Sequence, residues 1–132
     1  MQKLTIETHD TKGVIDITEE VNEVIHKEDF EAGVCHVFVM HTTAAISTAD
    51  LDPGTDQDML DAYTALIPKL NYRHPHNPAH VADHILATLI GPSVSVPVQD
   101  GELVLGTWQR IVLFELDGPR SRQVMITLTA GI

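Results

Sequence analysis

The stretch Val94-Ser95-Val96-Pro97-Val98-Gln99-Asp100-Gly101-Glu102-Leu103-Val104-Leu105 decides the fold class. Val94, Val96 and Val98 alternate with polar residues and Pro97, the period-two pattern of a strand with one buried face. Asp-Gly readily adopts the positive φ angles of a tight hairpin turn, so Asp100-Gly101 folds the chain back on itself. Leu103 to Leu105 then reads as the return strand. Toward the C-terminus, Gln109 to Leu116 and Gln123 to Thr129 are further strands, and Asp117-Gly118-Pro119 is the turn between them. The chain from Val94 onward reads as a β-meander.

Moving outward toward the N-terminus, Gly91 and Pro92 close a helix defined by Val81, Ile85, Leu86 and Leu89. Residues 69–79 hold Pro75 and Pro78 and read as an irregular loop. Met59, Leu60, Tyr63, Leu66 and Ile67 form the apolar stripe of an earlier helix, started by Asp52-Pro53 and stopped by Pro68. Val34 to His41 is rich in β-formers and apolar on both faces, which predicts a central buried strand. Thr18 reads as the N-cap of a short amphipathic helix over residues 19–28, with Glu19 and Glu20 favoured by the positive end of the helix dipole. Gln2 to Thr8 and Val14 to Ile17 alternate around turn residues and read as a hairpin. Strands, helix, strand, helices, strands is an α+β order with antiparallel sheets. No repeat, low-complexity tract or linker interrupts it, so residues 1–132 are expected to form a single domain.

The 132 residues carry 19 acids against 8 bases, for a net charge of −11. General nucleic-acid binding is excluded on this ground, because phosphate contacts need a dense basic face. Fourteen of the acids lie in residues 1–61, and all four arginines lie in the balanced second half. A small anionic ligand can bind there without a basic surface. No run approaches the ~18 apolar residues of a membrane span, so no membrane partner is expected. Cys35 is the one cysteine. With no basic start and apolar segment at the N-terminus, it points to a cytoplasmic location.

Chemistry concentrates in Arg73-His74-Pro75-His76-Asn77-Pro78-Ala79-His80-Val81-Ala82-Asp83-His84, which holds four of the eight histidines. Neutral imidazole is the commonest protein ligand of borderline divalent metals. His80 and His84 share a helix face, His74 or His76 can join them from the loop, and Asp83 can ligate or orient an imidazole. The alternative is a set of solvated loop histidines. His41 ends a buried strand and opens into a small-residue loop where Thr42 and Thr43 offer hydroxyls to phosphate or carboxylate oxygens. The alternative is a hydrogen-bonded histidine capping the strand. His36 lies on the opposite face of that strand. Cys35, buried and without a basic neighbour, reads as inert core. Arg120 and Arg122 flank a tight turn and suit phosphate, with Arg110 and Arg73 as further candidates. By its spacing Trp108 reads as core, with a pocket wall as the other reading.

Taken in order, these segments resemble the YjbQ-like family, also described as the secondary thiamine-phosphate synthase enzyme family. The matching pieces are His41-Thr42-Thr43-Ala44-Ala45, Tyr72-Arg73-His74, Asp83-His84-Ile85, Leu89 to Val94, Pro97 to Gln109 with its Gly106-Thr107-Trp108-Gln109, and Asp117-Gly118-Pro119-Arg120. The resemblance implies a β-sandwich-like α+β core with about three short helices, assembled as a homotrimer. It implies a site of His41, His74 and His84, serving as catalytic residues and as ligands of a divalent metal, zinc or magnesium. Thr42, Thr43, Trp108, Arg120 and Arg122 are the implied contacts to a small phosphorylated metabolite. The implied reaction joins a pyrimidine diphosphate to a thiazole phosphate and releases pyrophosphate. A metal-dependent phosphoesterase and a non-catalytic metabolite- or metal-binding trimer are the alternatives. Two departures stand out: Ala49-Asp50-Leu51 replaces an Asn-Glu pair before Asp52-Pro53, and Asp83 replaces an alanine before the last histidine.

Overall fold

The computed structural model describes residues 1–74 and 78–131, so His76 lies outside the described residues. In chain order the elements are β1 (Gln2–Glu7), β2 (Gly13–Asp16), α1 (Thr18–Lys27), β3 (Gly33–Val39), β4 (Ala44–Ala49) and α2 (Thr55–Leu66). A 3-10 turn (Pro78–His80), α3 (Val81–Ile90), β5 (Ser93–Gln99), β6 (Glu102–Leu103), β7 (Arg110–Glu115) and β8 (Ser121–Ala130) complete the chain. The class is mixed α+β with antiparallel sheets, as expected. The sheets have the orders β1-β8-β3-β5-β6 and β2-β7-β4.

The two sheets pack face to face, and side-chain alternation decides which residues meet. Ile111 and Leu113 of β7 point into the cluster shared with Val37 and Val39 of β3 and Val124 and Ile126 of β8. Val112 and Phe114 point the other way, into a second cluster with Leu60 of α2 and Leu86 of α3. β7 is therefore buried on both faces, between the five-stranded sheet and the helical layer. Val21, Val24 and Ile25 of α1 plug the first cluster, on the face that the amphipathic spacing assigned.

Several local expectations are corrected by long-range pairing. β1 and β2 do not form a hairpin: β1 pairs with β8 and β2 with β7, so the turn between them carries the chain from one sheet to the other. The C-terminal strands are not a meander either, because β7 leaves the sheet of β5 and β6, and β8 returns to it beside β3. The small-residue loop expected after His41 is cut short, because Ala44–Ala49 form β4; Ala44 and Ile46 are buried in the cluster between the sheets, and Ala45 faces the cluster with Leu86 of α3. Thr18 does not cap α1 with its side chain. Its hydroxyl instead accepts the Ile111 N–H at 2.8 Å, and Asp16 Oδ1 accepts the Thr18 N–H at 3.0 Å. Helix α2 starts two residues late, because Gly54 at φ +91° closes a turn in which the Thr55 N–H donates to the Asp52 carbonyl. The Asp100-Gly101 turn forms as the sequence requires, at φ +54° and +75°.

Candidate functional site

Three segments cross between the sheets at one end of the sandwich: residues 8–12, 40–43 and 116–120. One buried ion pair pins all three. Arg122 is 1% exposed and Glu115 is fully buried. Arg122 Nε donates to Glu115 Oε1 at 2.9 Å, and its Nη2 donates to Glu115 Oε2. The same Nη2 donates to the carbonyl and the hydroxyl oxygen of Thr43, each at 3.0 Å. The Thr8 hydroxyl and the Asp117 N–H also donate to the Glu115 carboxylate, at 2.6 and 3.0 Å. Burial alone would raise the carboxyl pKa. The hydrogen bonds from Arg122, Thr8 and Asp117 and the Arg122 charge outweigh it and hold Glu115 below the usual carboxylate value.

This network corrects the expected role of Arg122. Its guanidinium faces protein partners in the core, where no metabolite reaches it. Thr43 is likewise buried as an acceptor for Arg122, whereas Thr42 is exposed. Glu115 escaped the sequence reading altogether. Its signal was a single charge at the end of the apolar run Ile111-Val112-Leu113-Phe114, which marks a buried and therefore paired carboxylate.

His41 sits beside this network, half-buried. Its Nε2 accepts the Gln123 N–H at 2.9 Å, which fixes the ring proton on Nδ1. The ring thus caps the backbone of β8, the neighbour of the strand that His41 follows. Burial, then the Arg122 charge, holds its pKa below the ordinary histidine value. Glu115 opposes that shift and Arg120 adds to it.

The N-terminal half of α3 packs on the same end. The His74 and His84 rings stack with centroids 5.3 Å apart and planes 20° apart, so two of the three expected site histidines come together across the intervening loop. His80 Nδ1 lies 3.7 Å from Asp117 Oδ2. Half-exposed Arg120 donates to the same carboxylate at 2.8 Å and to the Asp117 carbonyl at 2.6 Å. Asp83 is held by Lys12, whose Nζ lies 2.5 Å from Asp83 Oδ1 and 2.8 Å from the Leu116 carbonyl. Asp83 is thereby a tether between α3 and the first crossover. A cavity of about 450 Å³ lies on the other flank of α3, walled by Ile67, Pro68, Leu70, Tyr72, Ala82 and Leu86, with the Lys12–Asp83 pair on its rim.

Among the described residues no three His, Cys, Asp or Glu side chains are grouped closely enough to hold a metal ion. His41, His74 and His84 of one chain therefore do not fit a metal by themselves. The remaining candidates lie elsewhere. Arg110 pairs with Asp16 at 2.7 Å and Glu19 at 3.1 Å. His36 bonds the Ser95 hydroxyl at 2.9 Å on the outer face of β3. Cys35 is inert core as read, with burial pushing its thiol up to about 11. Trp108 is not core: it is 72% exposed on the turn before β7, at the opposite end of the sandwich. No helix of the described residues is long and apolar enough to cross a membrane.

Known proteins share this whole architecture. The profile of the family described as "UPF0047 protein YjbQ-like" matches residues 2–131. A UPF0047 protein of Archaeoglobus fulgidus is 38% identical over 125 residues, covering 94% of this chain and 97% of that protein. UPF0047 protein YugU of Bacillus subtilis is 33% identical over 129 residues, covering 97% and 98%. Among solved structures, one from Sulfolobus solfataricus, described as a YbjQ-like protein of unknown function, superposes with a TM-score of 0.91 at 32% identity, covering 98% and 96%. A protein of Aeropyrum pernix superposes with a TM-score of 0.87 at 34% identity, covering 98% of both chains.

Proposed function

This chain belongs to the YjbQ-like UPF0047 family, and on that premise we propose that it acts as a homotrimeric secondary thiamine-phosphate synthase. It joins a pyrimidine diphosphate to a thiazole phosphate and releases pyrophosphate. The supporting observation is the stacking of His74 on His84 of α3, at the end of the sandwich that also presents Arg120 and His41.

In the reaction the thiazole ring nitrogen gives its electron pair to the methylene carbon of the pyrimidine. A C–N bond forms, and the C–O bond to the diphosphate breaks with its electrons leaving on pyrophosphate. No proton is lost from the attacking nitrogen, so the catalytic demand falls on the leaving group. Negative charge grows on the departing oxygen, and a guanidinium stabilises it as it develops. Arg120 supplies that charge, since half of its side chain is open to solvent. An imidazole of the stacked pair hands a proton to the departing oxygen. His41, with Nε2 occupied by the Gln123 N–H, offers Nδ1–H as a neutral donor to phosphate oxygens. The zinc or magnesium ion implied by the resemblance meets no three-ligand group among the described residues of one chain, so no step runs through it. Elemental analysis of purified protein tests it separately.

The experiment is incubation of purified protein with the pyrimidine diphosphate and the thiazole phosphate. Thiamine phosphate and pyrophosphate are expected in equal amounts. His84→Ala is expected to lower turnover by about 10²-fold or more, the usual worth of a positioned acid. Hydrolysis of a generic phosphomonoester with no thiamine phosphate formed would assign a phosphoesterase instead. Binding of the thiazole phosphate without any turnover would assign a binding protein, and either result overturns the synthase reading.

A further inference from the structure

Trp108 is the only tryptophan of the chain and 72% of it is open to solvent. Its exposure is built into the structure. The Gly106 N–H donates to Gln109 Oε1 and the Gln109 N–H to the Gly106 carbonyl, each at 3.0 Å. Gln109 Nε2 then reaches across to Thr48 Oγ1 on β4, also at 3.0 Å. The turn is stapled to the neighbouring strand and holds the indole outward. Such a large apolar surface, fixed in water, gains free energy from any ligand that covers it.

The indole lines an open groove of about 440 Å³ together with Thr48, Ala49, Asp50 and Thr107. Asp50 is the one charged side chain on its walls. Asp50 Oδ1 accepts the Asp52 N–H at 3.2 Å, and among the described residues no cation pairs with the carboxylate. The nearby Arg110 is already committed to Asp16 and Glu19. A carboxylate and the negative face of an indole select the same ligand, a cation with apolar surface around its charge. The net charge of −11 adds a field that attracts it.

We propose that the Trp108–Asp50 groove is a binding site for a small organic monocation, a quaternary or heteroaromatic ammonium seated on the indole and paired with Asp50. Within one chain this site is separate from the histidine end. Strand β4 runs from Ala44, opposite Glu115, to Ala49, opposite Arg110, so roughly 17 Å of strand lies between the two. The proposal gives Trp108 a ligand other than the phosphorylated metabolite implied by the family resemblance, and its test does not require synthase activity.

A single tryptophan gives a single indole Nε1–H resonance, which reports the site directly. The titration uses N-methylpyridinium chloride on the full chain, with potassium chloride at matched ionic strength as the control. Neutral pyridine, in mildly alkaline buffer, is the uncharged isostere. The expected result is a saturable shift with N-methylpyridinium and none with potassium chloride or pyridine. Asp50→Asn should weaken binding by about fivefold, the upper worth of an exposed ion pair, while leaving the unliganded indole shift in place. In Trp108→Leu, calorimetry should show loss of binding heat. A shift that fails to saturate, an equal response to pyridine, or unchanged affinity in Asp50→Asn would overturn the proposal.

Discussion

Replacing Arg122 with Met tests whether the crossover end of the sandwich hangs on one ion pair. The substitution keeps most of the side-chain volume and deletes every donor that Arg122 aims at Glu115 and Thr43. Glu115 is left fully buried, with only the Thr8 hydroxyl and the Asp117 N–H as partners. Removing one member of a buried pair costs about 3–5 kcal/mol, because the remaining charge stays desolvated. The two surviving hydrogen bonds place this case toward ~3 kcal/mol, still a large share of a typical folding free energy of ~5–15 kcal/mol. Urea unfolding at neutral pH reads that loss as a lower midpoint with an unchanged slope. The pH dependence adds a second check. In the parent the folded pKa of Glu115 is depressed, so its contribution is full above the ordinary carboxylate value and is lost as pH falls through the folded value. In Arg122→Met the lone buried carboxyl takes up a proton more easily, so the deficit against the parent should shrink on acidification. A deficit under ~1 kcal/mol at neutral pH would place the pair among weak surface bridges and refute the reasoning. So would a deficit that grows as the pH is lowered.

Two further outcomes follow from the same corner. Gly118→Ala would place a Cβ 2.4 Å from the Asp10 carbonyl oxygen and 2.8 Å from Glu115 Cγ, so it should destabilise by about 1–3 kcal/mol in thermal or urea unfolding. Native-like stability would mean the two crossovers are looser than these contacts imply. The His41 imidazole should titrate below the ordinary histidine value by NMR, because burial and the Arg122 charge disfavour its protonated form. Its contribution to stability is therefore full above that ordinary value and is lost as pH falls toward the folded value. In Arg122→Met, His41 should move upward, and an unmoved titration would show that the two groups do not sense each other.

The site histidines divide according to how their partners lie along the chain. Helical spacing predicts His80 and His84 on one face, but His80 ends the 3-10 turn before α3 and faces Asp117, while His84 lies within α3 against His74. The meeting of His74 with His84 was only one of the loop arrangements that the sequence left open. Arg122 misled for a physical reason. A guanidinium beside a turn reads as an anion contact, and although Glu115 lies only seven residues away, the sequence does not show that the turn between them folds the two together in the core. Trp108 misled in the opposite sense: an aromatic residue before an apolar strand ordinarily packs inward, yet here it is exposed on a turn that Gln109 ties to Thr48.

By itself the sequence determined the helices and the strands other than β4, through the two periods of side-chain direction, and where Asp100-Gly101 and Gly91 stop them. It also carried the family in its ordered motifs. The tertiary structure alone decided which strand pairs with which and in which sheet. Strand pairing joins residues more than a hundred positions apart, as β1 with β8, and local periodicity is the same whichever partner is chosen. The crossover end therefore exists only in three dimensions. Thr8, Thr43, Glu115 and Arg122 are brought together there because a charge buried between two sheets must find its counter-charge and its donors.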